Sequence, residues 1–211
     1  MQPQKTKQTI VIEIANTITH GLGVGLAIAG LVLLIIRAAH TGSAIRIVSF
    51  TVYGSLLVLF YLASTMFHAL VFTKAHHVFQ VFDHSMIFLL IAGTYTPYCL
   101  VSIGDWQGWT LFGIIWAMAV CGVVYKSIWL NRVSIWSTVI YIIMGWLCLL
   151  AFKPLWTSLT PVGFFLLLSG GILFTLGALV YTKPNAYSHL IWHFFVLAGT
   201  ITMYFSILFY V

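Results

Sequence analysis

His189 and His193 open an apolar stretch four residues apart, a spacing that puts both imidazoles on one face if the stretch is helical. His68 closes another apolar stretch, with Ser64 one turn before it on the same face. Asp83 stands about six residues beyond His77, roughly 9 Å into a third such stretch at helical rise. An aspartate at the centre of a membrane helix costs about 2.5 to 3.5 kcal/mol on insertion scales, so this one needs a partner or a task. Three imidazoles, two from one helix and one from another, match the three protein ligands of a catalytic zinc site whose fourth position holds water. Neutral histidines leave both charges of Zn²⁺ uncompensated in a low dielectric, and Asp83 with a hydroxide would balance them. Spacing alone also fits plainer readings. His68 and Asp83 would make a buried hydrogen bond, and the Ser64 hydroxyl can bond the preceding helical turn.

Glu13, Asn16 and His20 form a second set, spaced by three and four and therefore on one helical face. They either complete the same cavity or make an amphipathic lead-in facing headgroups. His40, His76 and His77 fall in breaks between apolar stretches and read as solvated surface.

The elements that must position these groups follow from composition. Of 211 residues, 62% are hydrophobic and 6% charged, where a soluble domain carries about a quarter charged. Apolar stretches cover residues 18–36, 47–72, 78–101, 109–129, 134–152, 161–181 and 190–210. Each is near the roughly 20 residues that a helix needs to cross a bilayer. The fold class expected is an all-α integral membrane protein, a seven-helix transmembrane bundle forming one domain over residues 1–211 with a short tail at about 1–15. The first stretch reads as a permanent helix because no small-residue cleavage site follows it.

A net charge of +6 would suggest nucleic acid in a soluble protein, but here the basic residues stand singly between apolar runs, so no nucleic-acid partner is expected. With seven crossings, the tail and the second, fourth and sixth loops take Lys5, Lys7, Lys74, Lys126, Arg132 and Lys183, leaving Arg37, Arg46 and Lys153 on the other side. Six against three places the amino terminus in the cytoplasm and the carboxyl terminus outside. The ends of the second stretch and the starts of the third and seventh then converge on the cytoplasmic side, bringing His68, Asp83, His189 and His193 to one depth.

Smaller features carry their own expectations. Trp106, Trp109, Trp129, Trp136 and Trp156 sit where interface anchors belong. Gly21, Gly23, Gly25 and Gly30 in the first stretch, and Gly170, Gly171 and Gly177 in the sixth, permit close helix approach, and Gly21 and Gly25 also make a small-xxx-small pair. Pro97 should bend the third helix, with Thr94 and Thr96 available to satisfy freed backbone groups. Cys99, Cys121 and Cys148, an odd number, read as packing residues rather than a disulfide framework.

Five segments together resemble the hemolysin III family, the bacterial branch of the progestin and adipoQ receptor superfamily. They are Glu13-Ile-Ala-Asn16-Thr-Ile-Thr-His20, Ser64-Thr-Met-Phe-His68, Phe82-Asp83-His84-Ser85, Ala92-Gly93-Thr94-Tyr95-Thr96-Pro97 and Ser188-His189-Leu-Ile-Trp192-His193. The resemblance covers essentially the whole chain. It implies zinc held by His68, His189 and His193, a water on the ion near Asp83, Ser64 beside the site, and a functional role for Glu13, Asn16 and His20. It also implies a multi-pass protein of the bacterial inner membrane. The large soluble amino-terminal extension of animal receptor members is absent, which speaks against a hormone-receptor role.

The function expected is zinc-dependent hydrolysis of a lipid amide or ester, as suggested for the wider superfamily, with Asp83 and Ser64 as the catalytic pair and membrane lipid as the partner. The competing expectation is a membrane-homeostasis or lipid-sensing receptor-like protein with structural zinc. A secreted cytolysin ranks last, because it would need a soluble state that this composition does not offer.

Overall fold

The computed structural model describes residues 7–129, 135–183, 185 and 187–211. Its helices are α1 (Lys7–Ala39), α2 (Ala44–Ala69), α3 (His76–Pro97), α4 (Trp106–Ile128), α5 (Ile135–Trp146), α6 (Phe152–Ser158), α7 (Pro161–Tyr181) and α8 (Ser188–Tyr210). A π-helical turn, Tyr98–Ile103, prolongs α3, and a 3₁₀ segment, Leu147–Ala151, joins α5 to α6. Counted with these extensions, seven helical spans are long and apolar enough to cross a membrane. The chain is a seven-helix transmembrane bundle.

Side-chain caps mark several of the helix starts. Ser43 accepts from the Arg46 amide ahead of α2, Asp105 from the Gln107 and Gly108 amides ahead of α4, and Thr160 from the Gly163 amide just before Pro161, at the first position of α7. α1 packs on α2 and α8, α2 on α3, α3 on α4 and α7 on α8, while α5 touches α3 and α7 and closes the ring. Glycines allow some of the close helix contacts. A Cβ on Gly23 would stand 2.6 Å from the Tyr61 ring, and one on Gly30 would stand 2.9 Å from Tyr204. Of the four first-helix glycines expected to permit close approach, these two make it. Gly25 has open space around its missing Cβ, and Gly21 reaches Thr65 only at 3.8 Å.

Element ends depart from the sequence expectation in three places. α1 begins at Lys7, so residues 7–15, expected as tail, are helical. Its 33 residues span about 50 Å, far beyond a hydrocarbon core of about 30 Å, and the extra turns carry Glu13 and Asn16 alongside α2 and α8. The fifth span runs on to Ser158 through the expected break at Lys153, because Pro154 falls in the first turn of α6, where no amide donor is required. His76 starts α3 and stacks on Phe67 with centroids 4.6 Å apart, so it is packed rather than solvated.

Pro97 ends the regular turns of α3 where a bend was expected. Thr94 and Thr96 donate to the Leu90 and Ala92 carbonyls, each 2.8 Å away and one turn back, and not to the Gly93 carbonyl that Pro97 leaves without its amide. All five interface tryptophans are exposed. Of the cysteines, Cys99 is buried and Cys148 half-buried, but Cys121 points outward and packs nothing inside. Lys126 is buried in the last turn of α4 and not in a loop, while Lys5 and Arg132 lie outside the described residues.

Candidate metal centre

The starts of α1, α3 and α8 and the end of α2 gather at one end of the bundle, the site end. The opposite end is marked by Arg37 of α1, whose guanidinium donates to the Phe209 carbonyl of α8 at 3.3 Å. At the site end His68, His189 and His193 converge, each offering one ring nitrogen within 4.8 Å of the others. The His68 and His189 Nε2 atoms are 3.2 Å apart. Their rings meet edge to face, with centroids 4.8 to 5.0 Å apart across all three pairs.

Two of the rings are locked from behind. His68 Nδ1 donates to Glu13 Oε2 at 2.7 Å, which leaves the Nε2 lone pair pointing at the cluster. The Thr19 hydroxyl spends its one hydrogen on the Asn16 carbonyl at 2.9 Å, so it must accept from His193 Nδ1 at 3.1 Å. His193 therefore also carries its proton on Nδ1 and presents a bare Nε2. Donation from the remote nitrogen to a carboxylate or hydroxyl is how metal-binding histidines are commonly oriented.

Each expected site residue reaches this end. Asp83 is buried, with its carboxylate facing Ser64 and lying 3.8 Å from His84 Nδ1. Glu13, Asn16 and His20 line the wall that α1 turns toward α2 and α8. His20 stacks on His193 with centroids 3.5 Å apart and planes within 8°, and Tyr61 meets its edge. The headgroup-facing alternative for this set is excluded by burial, since Asn16 and His20 are 2% and 1% exposed. The chain has three acidic residues; Asp105 caps α4, and the other two, Glu13 and Asp83, both end here.

Sequence reasoning missed Thr19 as the partner of His193. Its only signal was a place between Asn16 and His20 on a helix whose face had not been tied to α8. The site role of His84 was also missed. Its Nδ1 donates to the Gln80 carbonyl at 2.8 Å, which fixes the ring beside Asp83, while its backbone carbonyl receives the Tyr141 hydroxyl at 3.2 Å.

A cavity of about 110 Å³ runs along α3, α5, α7 and α8, lined by residues including Ile91, Tyr141, Trp146, Leu167 and Phe174. It touches Ile87, one turn beyond Asp83, and Trp192, next to His193, and ends near Ile103. From Ile87 to Ile103 it follows α3 and its π-helical extension for roughly 20 Å. Its walls are almost wholly apolar, the character of a cavity that stays dry.

Seven apolar spans and a histidine triad that could hold a metal ion, with His68 and His193 buried and His189 half-buried, define a multi-pass integral membrane protein with a candidate metal centre at one end. Residues 8–204 match the model of the haemolysin-III related family, and the chain belongs to that family. It is 47% identical to "Hemolysin-3" of Bacillus cereus over 100% of this chain and 98% of that one. To "Hemolysin-3 homolog" of Bacillus subtilis (strain 168) it is 48% identical, over 96% and 95%. It is also similar to the human "Monocyte to macrophage differentiation factor", 26% identical over 95% of this chain and 85% of the relative.

Proposed function

We propose that this protein is a zinc-dependent hydrolase of lipid amides or esters, working within the bacterial plasma membrane with its site end toward the cytoplasm. The observation that carries the reading is the convergence of one ring nitrogen from each of the three histidines. Two nitrogens about 2.05 Å from a tetrahedral ion lie roughly 3.3 Å apart, and His68 and His189 Nε2 are separated by 3.2 Å. The donor set, three imidazoles with a carboxylate close by but outside the triad, is that of an open catalytic zinc site.

A zinc ion held there supplies a Lewis acid for the substrate carbonyl and a water whose pKa falls to about 7. The chain supplies the remainder. Asp83 accepts the proton released as the oxygen attacks, and returns it to the departing amine or alcohol as the acyl–nitrogen or acyl–oxygen bond breaks. Ser64, facing the carboxylate, holds Asp83 in place. His84, fixed on Gln80, keeps a second imidazole beside it. The apolar cavity takes the acyl chain, with the carbonyl at the end bordered by Ile87 and Trp192.

Two experiments bear on this reading directly. Glu13→Gln keeps the shape of the side chain but replaces the acceptor of His68 Nδ1, and zinc affinity should weaken by about 10- to 100-fold, the usual cost of losing such a partner. Competition with a chromophoric chelator measures it, and unchanged affinity would mean that the contact does not orient a ligand. For orientation, a reporter after residue 7 should signal from the cytoplasm and one after Val211 from outside. The same side at both ends would overturn the placement.

A further inference from the structure

Three hydroxyls around the metal centre are already committed. Thr19 donates to the Asn16 carbonyl, Tyr141 to the His84 carbonyl, and Ser64 faces Asp83. Tyr181, the last residue of α7, differs from them. Its ring meets His189 edge to face, with centroids 5.3 Å apart, and lies 6.0 Å from the Trp192 ring. Its hydroxyl stands electrostatically close to Asp83 and Tyr141, and donates to no described residue.

Two features of the sequence bring Tyr181 there. Gly177, one turn earlier, lets α7 press on α8, since a Cβ on it would stand 2.6 Å from Phe195 Cβ and 2.8 Å from the Trp192 ring. Long side chains on a helix lean toward its amino terminus, and α7 ends at the site, so the Tyr181 ring leans back into the bundle. It leans over Ala178, which with Ile87, Tyr141 and Trp192 lines the near end of the cavity. Tyr181 therefore stands between that end of the cavity and His189. A tyrosine at a helix end is also a common interface anchor, with its hydroxyl turned out to the headgroups. This ring instead packs on His189 and Trp192, with its oxygen electrostatically close to the buried Asp83.

We propose that Tyr181 holds the carbonyl oxygen of the substrate, through a hydrogen bond that strengthens as this oxygen becomes anionic. The assignment rests on the hydrolase reading. When the water oxygen bonds to the carbonyl carbon, the π pair of the carbonyl moves onto its own oxygen and the water's proton goes to Asp83. The Tyr181 O–H meets the new charge and keeps its proton. As the amine or alcohol departs with the proton from Asp83, the electron pair returns and the carbonyl re-forms. A donor already placed where charge develops costs no reorganisation at that moment.

The test compares zinc-loaded wild type and Tyr181→Phe in detergent. One arm uses the amide or ester that wild type turns over fastest, and the other uses hexadecylphosphonate monomethyl ester, whose tetrahedral anion imitates the developing charge. The phenylalanine keeps the ring against His189, so zinc content and thermal unfolding should match wild type. Removing one such donor should lower kcat by about 100- to 1,000-fold with KM little changed. Phosphonate affinity, measured by calorimetry, should fall by about 10- to 100-fold, the loss of one hydrogen bond to a charged group. Wild-type kcat in Tyr181→Phe, or a rise in KM alone, would overturn the proposal and leave the hydrolase standing. Wild type inert on every substrate would remove the hydrolase, but the phosphonate arm needs no turnover. Weaker phosphonate binding by Tyr181→Phe would then still support the hydroxyl as the donor, and equal binding by the two proteins would overturn it.

Discussion

Purified without chelators, the protein should carry about one zinc per chain, and replacing His68, His189 or His193 with alanine should remove nearly all of it, because two protein ligands then remain of three. The loss should exceed the 10- to 100-fold expected of Glu13→Gln, since a direct ligand contributes more than the group that orients it. His189→Ala is the cleanest of the three. His68 and His193 also anchor α1 through Glu13 and Thr19, so their removal loosens helix contacts as well as the metal centre. His40→Ala and His77→Ala, at exposed positions, should leave the zinc in place. Elemental analysis of each variant, beside its thermal unfolding in detergent, provides the comparison. No transition metal in wild type, or equal loss from His77→Ala and His189→Ala, would show the triad to be a hydrogen-bonded cluster.

Asp83→Asn should separate a working site from a structural one. The amide is nearly the shape of the carboxylate, and Asp83 is not one of the three converging ligands, so folding and most of the zinc should survive. Turnover should nevertheless drop by roughly two to four orders of magnitude, the usual contribution of a positioned general base. Ser64→Ala should cost less, since Ser64 acts through Asp83, and a loss as large as that of Asp83→Asn would make it a nucleophile instead. The measurement is hydrolysis of a panel of fatty amides, ceramide-like amides and acyl esters by zinc-loaded protein. If wild type hydrolyses none of them while Asp83→Asn loses its cellular effect together with its zinc, a lipid-sensing role with structural metal replaces the hydrolase. Direct lysis by wild type of red cells or lipid vesicles, without turnover, would favour the cytolytic reading carried in the names of the Bacillus relatives.

Much of this molecule was legible in one dimension because a bilayer is an unforgiving solvent. An apolar stretch of about 20 residues has one good solution there, a helix with its backbone bonds closed internally. All seven spans could accordingly be read from composition. Polar residues inside them are expensive enough that their presence is itself a signal, which is why His68, Asp83, His189 and His193 stood out before any contact was known. Their four-residue and end-of-span placement was sufficient to bring them to one depth.

Helix ends were less legible. The start of α1 and the run of the fifth span past Lys153 depend on where the interface lies and on which helix lies alongside, and local composition states neither. The same holds for close packing, where of the four first-helix glycines that offered close approach Gly23 and Gly30 make it and Gly21 and Gly25 do not. A small-residue spacing marks a face that can be approached, but not the face that is. Residue types and spacing on their own therefore determined the membrane fold, the set of candidate ligands and their common depth. Only the tertiary structure decided that Glu13 and Thr19 of α1 lock the ring nitrogens of His68 and His193, and that His20 stacks against the site. Hydrogen-bond direction and ring stacking depend on the rotation of one helix about its axis relative to its neighbours, and periodicity leaves that rotation open until the helices pack.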